Sequence, residues 1–210
     1  MSLFTGNIVW VGDSITAGNH VGAGEDFPTL VTTQLTANGF TVAKHNIGIP
    51  SDFLAGTTQG ATADGLFDSG KDRNVCVIML GINDLASGTS GASHEATLQT
   101  FCLARRSAGF KIVVCTILPI NDAATLARTK TSNSLVRGDA SFYDRLVDVG
   151  AGSGTTMGAD AAPLDGSLYS DTVHPTLLGN QLLEPFMTTE ISALLTATGG
   201  VSRSRAQVGM

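Results

Sequence analysis

The sequence predicts a three-layer α/β domain in which helices cover both faces of a mostly parallel sheet. Apolar runs of strand length recur along the chain, segments with helical periodicity separate them, and Gly, Asn, Asp or Pro ends most of these segments. The chain has 210 residues, which is enough for one domain with a continuous core. We place that domain at residues 1–198 and interpret residues 199–210 as a polar C-terminal tail.

Five segments have the length and composition of strands. Residues 74–80 form the clearest one, because nearly every side chain after Asn74 is apolar, as in a strand that is buried on both faces. The weakest is predicted as a short edge strand. In chain order the segments are 7–11, 40–45, 74–80, 111–118 and 142–149.

Helix signals occupy the intervals between these strands. Pro28 suits the first turn of a helix that runs to Asn38 and ends before Gly39. Ser93 is predicted to cap a second helix, which Gly109 ends. Further helices are predicted within residues 51–68, 121–137 and 175–195, whereas residues 150–170 show no clear periodicity.

The charge and hydropathy of the chain exclude several classes of protein. The formal net charge is -6 and the only adjacent basic pair is Arg105-Arg106, which argues against a nucleic-acid partner. No apolar run approaches the roughly 18 residues of a membrane span, and the N-terminus lacks the parts of a signal peptide. We therefore expect a soluble protein, either cytoplasmic or a module of a larger one.

The cysteines indicate neither a disulfide framework nor a metal site. Cys76 and Cys115 lie inside predicted strands, and Cys102 lies on a predicted helix. Each is expected to be a buried free thiol that packs as a small apolar residue, which favours a reducing compartment. No Cys/His spacing suggests a metal, and we expect no metal or organic cofactor.

Short polar motifs follow three of the predicted strands, and a fourth motif lies near the C-terminus. They read GDSIT at 12–16, NIG at 46–48, GIND at 81–84 and DTVHP at 171–175. Ligands of open parallel sheets bind outside the carboxyl ends of the strands. We therefore expect Ser14, Gly48 and Asn83 to meet at one edge of the sheet.

Each motif alone also has a plain structural interpretation. Ser14 or Thr16 would cap a helix after a polar turn, Asn83 would form a turn, and Asp171 would be a helix N-cap. Three other histidines are assigned structural roles by default: His20, His45 and His94.

Together, however, the motifs provide the groups that ester hydrolysis needs. A serine hydroxyl is a poor nucleophile until a base takes its proton. His174 can be that base for Ser14, because Asp171 lies three residues earlier and can orient the imidazole. The backbone N–H of Gly48, which has no side chain to keep the substrate away, and the amide of Asn83 can stabilise an oxyanion.

The motifs resemble the sequence blocks of the SGNH, or GDSL-type, hydrolase family. Residues 9–16 are similar to its first block, 79–84 to its third, and 171–175 with Gly179 to its last. The second block departs from the family pattern, because Gly48 is followed by Ile-Pro-Ser where a second glycine, as in Gly-x-Ser-Gly, is frequent.

The resemblance implies a flavodoxin-like α/β fold with a mostly parallel five-stranded sheet, and it implies a role for each motif residue. Ser14 would be the nucleophile, His174 the base and Asp171 its partner, and the N–H of Ser14 would join Gly48 and Asn83 in the oxyanion hole. The implied activity is hydrolysis of carboxylic esters without a cofactor.

The substrate is expected to be a small-molecule or carbohydrate ester with a short acyl group, such as acetate on a sugar. The chain is short and has no long apolar insertion to hold a fatty acyl chain. Phe53 and Tyr169 are candidates for stacking on a sugar ring. The alternatives are a lipase or acyl-thioesterase of the same family, or a catalytically silent binding module of a surface or phage-tail assembly. A nucleotide-binding domain is disfavoured, because no GxGxxG follows the first strand.

Overall fold

A five-stranded parallel sheet forms the centre of the molecule. The structure, a computed structural model, describes residues 4–150, 157 and 166–196. Its strands are β1 (Thr5–Gly12), β2 (Thr41–Asn46), β3 (Arg73–Met79), β4 (Lys111–Cys115) and β5 (Arg145–Val147). They lie in the order β2-β1-β3-β4-β5, and every neighbouring pair is parallel. This confirms the predicted α/β class.

Helices cover both faces of the sheet. They are α1 (Ser14–Ala17), α2 (Phe27–Ala37), α3 (Gln59–Gly65), α4 (Ile82–Ala86), α5 (Gly91–Ser107), α6 (Ala123–Gly138) and α7 (Leu177–Thr196). Helices α2 and α7 pack together, as do α5 and α6. Side chains of β1 alternate between the two layers: Ile8 and Trp10 belong to the core under α2 and α7, whereas Val9 and Val11 belong to the core under α5.

Several predicted boundaries are wrong for local reasons. Ser90, not Ser93, caps α5, since its side chain accepts the backbone N–H of Ser93. Helix α7 begins at Leu177 because the side chain of Thr176 accepts the backbone N–H of Gly179, as the side chain of an N-cap residue does. The last two strands are shorter than predicted. The predicted tail at 199–210, and most of the segment 150–170 that lacks periodicity, lie outside the described residues.

The cysteines behave as expected. All three are buried and free, and burial raises the pKa of Cys76 to about 12, so this thiol stays neutral. Among the helices of the described residues, none combines the length and apolar character needed to cross a bilayer.

Candidate active site

The sharp turn after β1 presents Ser14. Asp13 caps α1 by accepting the backbone N–H of Ile15 at 3.0 Å, so the first helical residue, Ser14, lies directly at the carboxyl end of the strand. Its side chain is held at the edge of the core, with 9% of the residue exposed. Asp13, not Ser14 or Thr16, is therefore the cap at this turn.

A tight turn before α7 presents His174. Oδ1 of Asp171 accepts the backbone N–H groups of Val173 and His174 at 2.7 and 2.8 Å, which closes the turn without help from a helix. The turn is bounded by a bridge between Tyr169 and Pro175. Asp171 thus caps a turn that precedes α7 and is not the N-cap of that helix.

Two short hydrogen bonds connect Ser14, His174 and Asp171. Oγ of Ser14 lies 2.7 Å from Nε2 of His174, and Nδ1 of His174 lies 2.7 Å from Oδ2 of Asp171. An ionised carboxylate can only accept, so the tautomer that satisfies both contacts carries its proton on Nδ1. Nε2 is then free to accept the proton of the Ser14 hydroxyl.

The contacts of Asp171 keep it ionised. Burial disfavours its charged form, but the backbone and ring N–H groups of His174, the backbone N–H of Val173 and the charge of the imidazole lower the pKa of Asp171 to about 2. A carboxylate that is charged at neutral pH can stabilise the imidazolium that forms when Ser14 loses its proton.

Gly48 packs against α1, the helix that begins at Ser14. A Cβ at this position would lie 2.8 Å from the backbone nitrogen of Ala17 and 3.1 Å from the carbonyl oxygen of Asp13. The sequence had suggested that the missing side chain makes room for substrate, whereas the structure shows that it makes room for α1. The N–H of Gly48 donates to Oδ1 of Asn46 at 3.1 Å, and Nδ2 of Asn46 donates to the carbonyl of Thr16 at 2.7 Å.

The loop after Gly48 explains the departure from the family pattern. Ser51 occupies the position three residues after Gly48, where the family often has its second glycine. Its φ of 62° lies in the left-handed region, which favours glycine and costs other residues about 1–2 kcal/mol. The turn is therefore retained although the glycine is replaced.

Asn83 and its neighbour Asp84 face the same loop. Nδ2 of Asn83 donates one of its two hydrogens to the carbonyl of Asp52 at 2.8 Å, which leaves the second hydrogen for another acceptor. The buried carboxylate of Asp84 accepts the N–H groups of Leu54 and Ala55 at 2.8 and 3.2 Å. The GIND motif thus contains a candidate oxyanion donor and an anchor for the loop beside it.

Gln59 joins this loop to β1. Its amide exchanges hydrogen bonds with Gly12, accepting the N–H at 3.0 Å and donating to the carbonyl at 2.8 Å, and it also donates to Oδ2 of Asp52 at 2.7 Å. Sequence reasoning missed Gln59 because no motif surrounds it. Sequence reasoning also missed the role of Asp84 as an anchor for this loop, and its position next to Asn83 in the GIND motif was the signal that could have indicated it.

The turn after β3 depends on a buried histidine. Nε2 of His94 lies 3.1 Å from the carbonyl of Leu80, and Nδ1 lies 2.7 Å from Oγ of Ser132. Burial lowers the pKa of His94, so the ring stays neutral and can make both contacts. Gly81 passes this ring at a φ of 140°, where a Cβ would lie 1.7 Å from Nε2. His94 therefore has the structural role expected for it.

His20 has a different position from the one expected. Its ring stacks on that of His174, with centroids 4.2 Å apart and planes at 26°, and its Nε2 lies 3.7 Å from Oδ2 of Asp171. No sequence signal near His20 indicated this contact.

The three residues His20, Asp171 and His174 form a group whose possible ligand atoms lie within 4.8 Å of one another. They do not fit a metal ion well. Nδ1 of His174 is already bonded to Asp171, and two nearly parallel rings do not direct their in-plane lone pairs at one point.

The two aromatic candidates for sugar stacking differ in exposure. Tyr169 is 4% exposed and its hydroxyl donates to the carbonyl of Met157, so it is a packing residue. Phe53 is 41% exposed, directly after Asp52 in the loop that Asn83 contacts. Only Phe53 keeps the exposure that contact with substrate requires.

Comparison with known proteins identifies the family of the chain. A model of the GDSL-like lipase/acylhydrolase family matches residues 10–182. Comparison with curated protein sequences found no significant match.

Three solved structures have similar folds. A lipolytic G-D-S-L family protein from Veillonella parvula is 18% identical with a TM-score of 0.73, and 89% of this chain and 98% of that chain align. The psychrotrophic esterase EstA from Pseudoalteromonas is 18% identical with a TM-score of 0.65, and 91% of this chain and 99% of that chain align. A catalytic mutant of Axe2, an acetylxylan esterase from Geobacillus stearothermophilus, is 19% identical with a TM-score of 0.65, and 88% of this chain and 93% of that chain align. Because the family model spans most of the chain, the chain belongs to the GDSL-like lipase/acylhydrolase family of serine esterases.

Proposed function

We propose that this esterase hydrolyses carboxylic esters of short acyl groups through an acyl-enzyme on Ser14. The observation that carries the proposal is the pair of 2.7 Å contacts from Ser14 through His174 to Asp171. These contacts support the proposal because they connect the hydroxyl, the imidazole and the ionised carboxylate that a serine hydrolase triad needs.

In the first half-reaction, Oγ of Ser14 attacks the carbonyl carbon while Nε2 of His174 takes its proton. The tetrahedral intermediate collapses when its bond to the alcohol oxygen breaks and His174 returns the proton to that oxygen. Water then attacks the acyl-enzyme, again giving a proton to His174, and the carboxylic acid leaves as Ser14 regains its hydrogen.

The negative charge on the intermediate needs donors from two strand ends on either side of β1. The free amide hydrogen of Asn83 is one. The N–H of Gly48 is the second, and its 3.1 Å contact with Asn46 is a neutral hydrogen bond that a charged oxyanion outcompetes, because charge-assisted bonds are roughly twice as strong. The N–H of Ser14 is the third.

Exposed apolar side chains near the proposed oxyanion donors support a short acyl group. Two apolar side chains in the loop after β2 are exposed, Ile49 at 43% and Phe53 at 41%. Ile49 follows Gly48, and Phe53 follows Asp52, whose carbonyl accepts a hydrogen bond from Asn83. They offer a small apolar surface for acetyl or butyryl groups. Axe2, the relative with an acetylated carbohydrate substrate, supports acetate on a sugar as the natural ester.

Fluorophosphonate labelling followed by peptide mass spectrometry tests the nucleophile. We expect one label, on Ser14, and we expect Ser14→Ala to lose p-nitrophenyl acetate hydrolysis while keeping its thermal unfolding midpoint. Near-full turnover by the variant would refute the assignment. A wild-type protein that is neither labelled nor active would instead support the silent binding module.

A series of p-nitrophenyl esters from acetyl to dodecanoyl tests the acyl preference. We expect kcat/KM to be highest for acetyl or butyryl, and a maximum at decanoyl or longer would favour the lipase or thioesterase alternative. Acetylated xylooligosaccharides, assayed by acetate release, test the carbohydrate part. A kcat/KM no higher than that for p-nitrophenyl acetate would count against a sugar ester.

A further inference from the structure

His20 is held beside the proposed triad by a costly backbone conformation. It lies in the loop between α1 and α2 with a φ of 70°, and it is one of two non-glycine residues with positive φ among the described residues. Such conformations are strained and are retained where the surrounding structure requires them. Here the conformation puts the imidazole of His20 face to face with that of His174.

The ring of His20 lies over the Asp171–His174 hydrogen bond. The side chain of Asp171 is 40% exposed, whereas that of His174 is 17% exposed under the ring of His20. A hydrogen bond is electrostatically stronger where the local dielectric is low than in water. Among the described residues, the ring of His20 is therefore a contact that limits competition by water for this hydrogen bond.

We propose that His20 is a positioning residue of the triad. This inference rests on the proposed function. The stacked ring of His20 keeps the imidazole of His174 between Ser14 and Asp171.

Substitutions at His20 separate the stacked ring from its imidazole nitrogens. His20→Asn suits a left-handed backbone but removes the ring, whereas His20→Phe keeps an aromatic ring without those nitrogens. His45→Asn, on β2, is the matched control for loss of an imidazole. Each variant is compared with the wild type by kcat and KM for p-nitrophenyl acetate and by thermal unfolding.

We expect His20→Asn to lower the plateau value of kcat about three- to tenfold with little change in KM, and His20→Phe to restore kcat to within about twofold of wild type. His45→Asn should leave kcat and KM unchanged. Equal losses of kcat in the Asn and Phe variants, or a kcat of His20→Asn equal to that of the wild type, would overturn the inference.

A measurement without turnover separates this inference from the proposed function. In protein with Ser14→Ala and isotopically labelled histidine, NMR follows solvent exchange of the Nδ1 proton of His174 in the presence of His20, His20→Asn or His20→Phe. The inference requires faster exchange of this proton in His20→Asn than in the other two proteins, and equal exchange in all three would refute it. Failure of the proposed function would appear separately, as absence of fluorophosphonate labelling at Ser14 in the wild type.

Discussion

Asp171 holds His174 at two points, through the backbone N–H at 2.8 Å and through Nδ1 of the ring at 2.7 Å. One oxygen of the carboxylate forms the turn and the other orients the imidazole. Four consecutive residues thus set both the turn and the direction of the imidazole, and the ring of His20 adds a contact on the face of that imidazole.

The double contact predicts the behaviour of Asp171→Asn. The side-chain oxygen of Asn can still accept the backbone N–H groups, but its NH₂ group would donate to Nδ1 of His174. The imidazole proton would then be on Nε2, and a protonated Nε2 cannot accept the hydrogen of the Ser14 hydroxyl. We expect kcat to fall about 10²–10⁴-fold with a small change in the unfolding midpoint. Steady-state kinetics and thermal unfolding check this.

Asp139→Asn is the matched control, since Asp139 also accepts a backbone N–H two residues ahead, from Ser141 at 2.8 Å. It should leave kcat unchanged. Comparable losses in both variants would mean that Asp171 acts only through the turn.

The loop contacts make Asn83→Ala a clean test of the oxyanion donor. The loop loses one contact to Asp52 but keeps those from Gln59 and Asp84, so its position should be retained. Because the lost bond is made to charge that develops in the transition state, we expect kcat to fall about 10²–10³-fold at nearly constant KM.

Thr57→Val controls for the loop, because it removes another contact to Asp52 and leaves the amide of Asn83 in place. Its kcat should stay within a few-fold of wild type. A large rise in KM for Asn83→Ala at unchanged kcat would instead assign Asn83 to substrate binding.

Gly48→Ala tests the close contact with α1. The added methyl group would lie 2.8 Å from a backbone nitrogen, which cannot move without displacing the helix of the nucleophile. We expect a loss of about 1–3 kcal/mol in the free energy of unfolding and a fall in kcat.

Gly65→Ala is the control, since a Cβ there meets nothing within 4 Å and the residue is helical. It should be neutral or stabilising by up to about 1 kcal/mol. Chemical denaturation gives both values, and equal stability of Gly48→Ala and wild type would refute the packing argument.

Ser51→Gly should raise the free energy of unfolding by about 1 kcal/mol, because glycine removes the cost of the left-handed φ and this gain exceeds the added entropy of the unfolded chain. Ser107→Gly, at the end of the right-handed helix α5, should be destabilising by about 0.5–1 kcal/mol. If chemical denaturation showed that Ser51→Gly and Ser107→Gly lower the free energy of unfolding by similar amounts, the argument from the left-handed φ of Ser51 would be contradicted.

The sequence predicted the sheet well because buried strands have a composition of their own. The apolar run after Asn74 has the composition of a strand that is buried on both faces. The polar motifs at the strand ends indicated where Ser14 and Asn83 would lie. The order of the five strands and the position of Ser90 as a helix cap were not predictable in this way, since both depend on which segments pack together.

The candidate site was predicted in its main residues but not in its supports. Ser14, His174 and Asp171 belong to motifs, so their chemistry was readable from residue type and spacing. His20 and Gln59 act through contacts with residues far away in sequence, at 154 and 47 positions from His174 and Gly12 respectively. No local pattern encodes such contacts, which exist only after the chain has folded.

Asp13 and Asp122 are both helix N-caps, yet their environments predict opposite effects of pH on stability. Burial raises the pKa of Asp13 from 3.8 to about 7 against the opposing effects of the Ile15 N–H and of His174. The folded state thus favours the neutral acid, so ionisation of Asp13 destabilises the protein increasingly as pH rises from about 4 to about 7, by at most about 4 kcal/mol. The exposed Asp122 has a lowered pKa because Thr125 donates to it, so its contribution is present above the ordinary Asp value and is lost as pH falls below it.

Asparagine keeps a cap oxygen at either position but cannot ionise. Relative to wild type, Asp13→Asn should therefore unfold at the same temperature near pH 4 and at a progressively higher one up to pH 7, with a constant difference above that. Asp122→Asn should be less stable than wild type at pH 7, and this difference should shrink as pH falls below about 4. Thermal unfolding of both variants from pH 3 to pH 9 measures the two trends. Parallel curves for Asp13→Asn and wild type across this range would show that the carboxyl of Asp13 does not titrate near neutral pH in the folded protein.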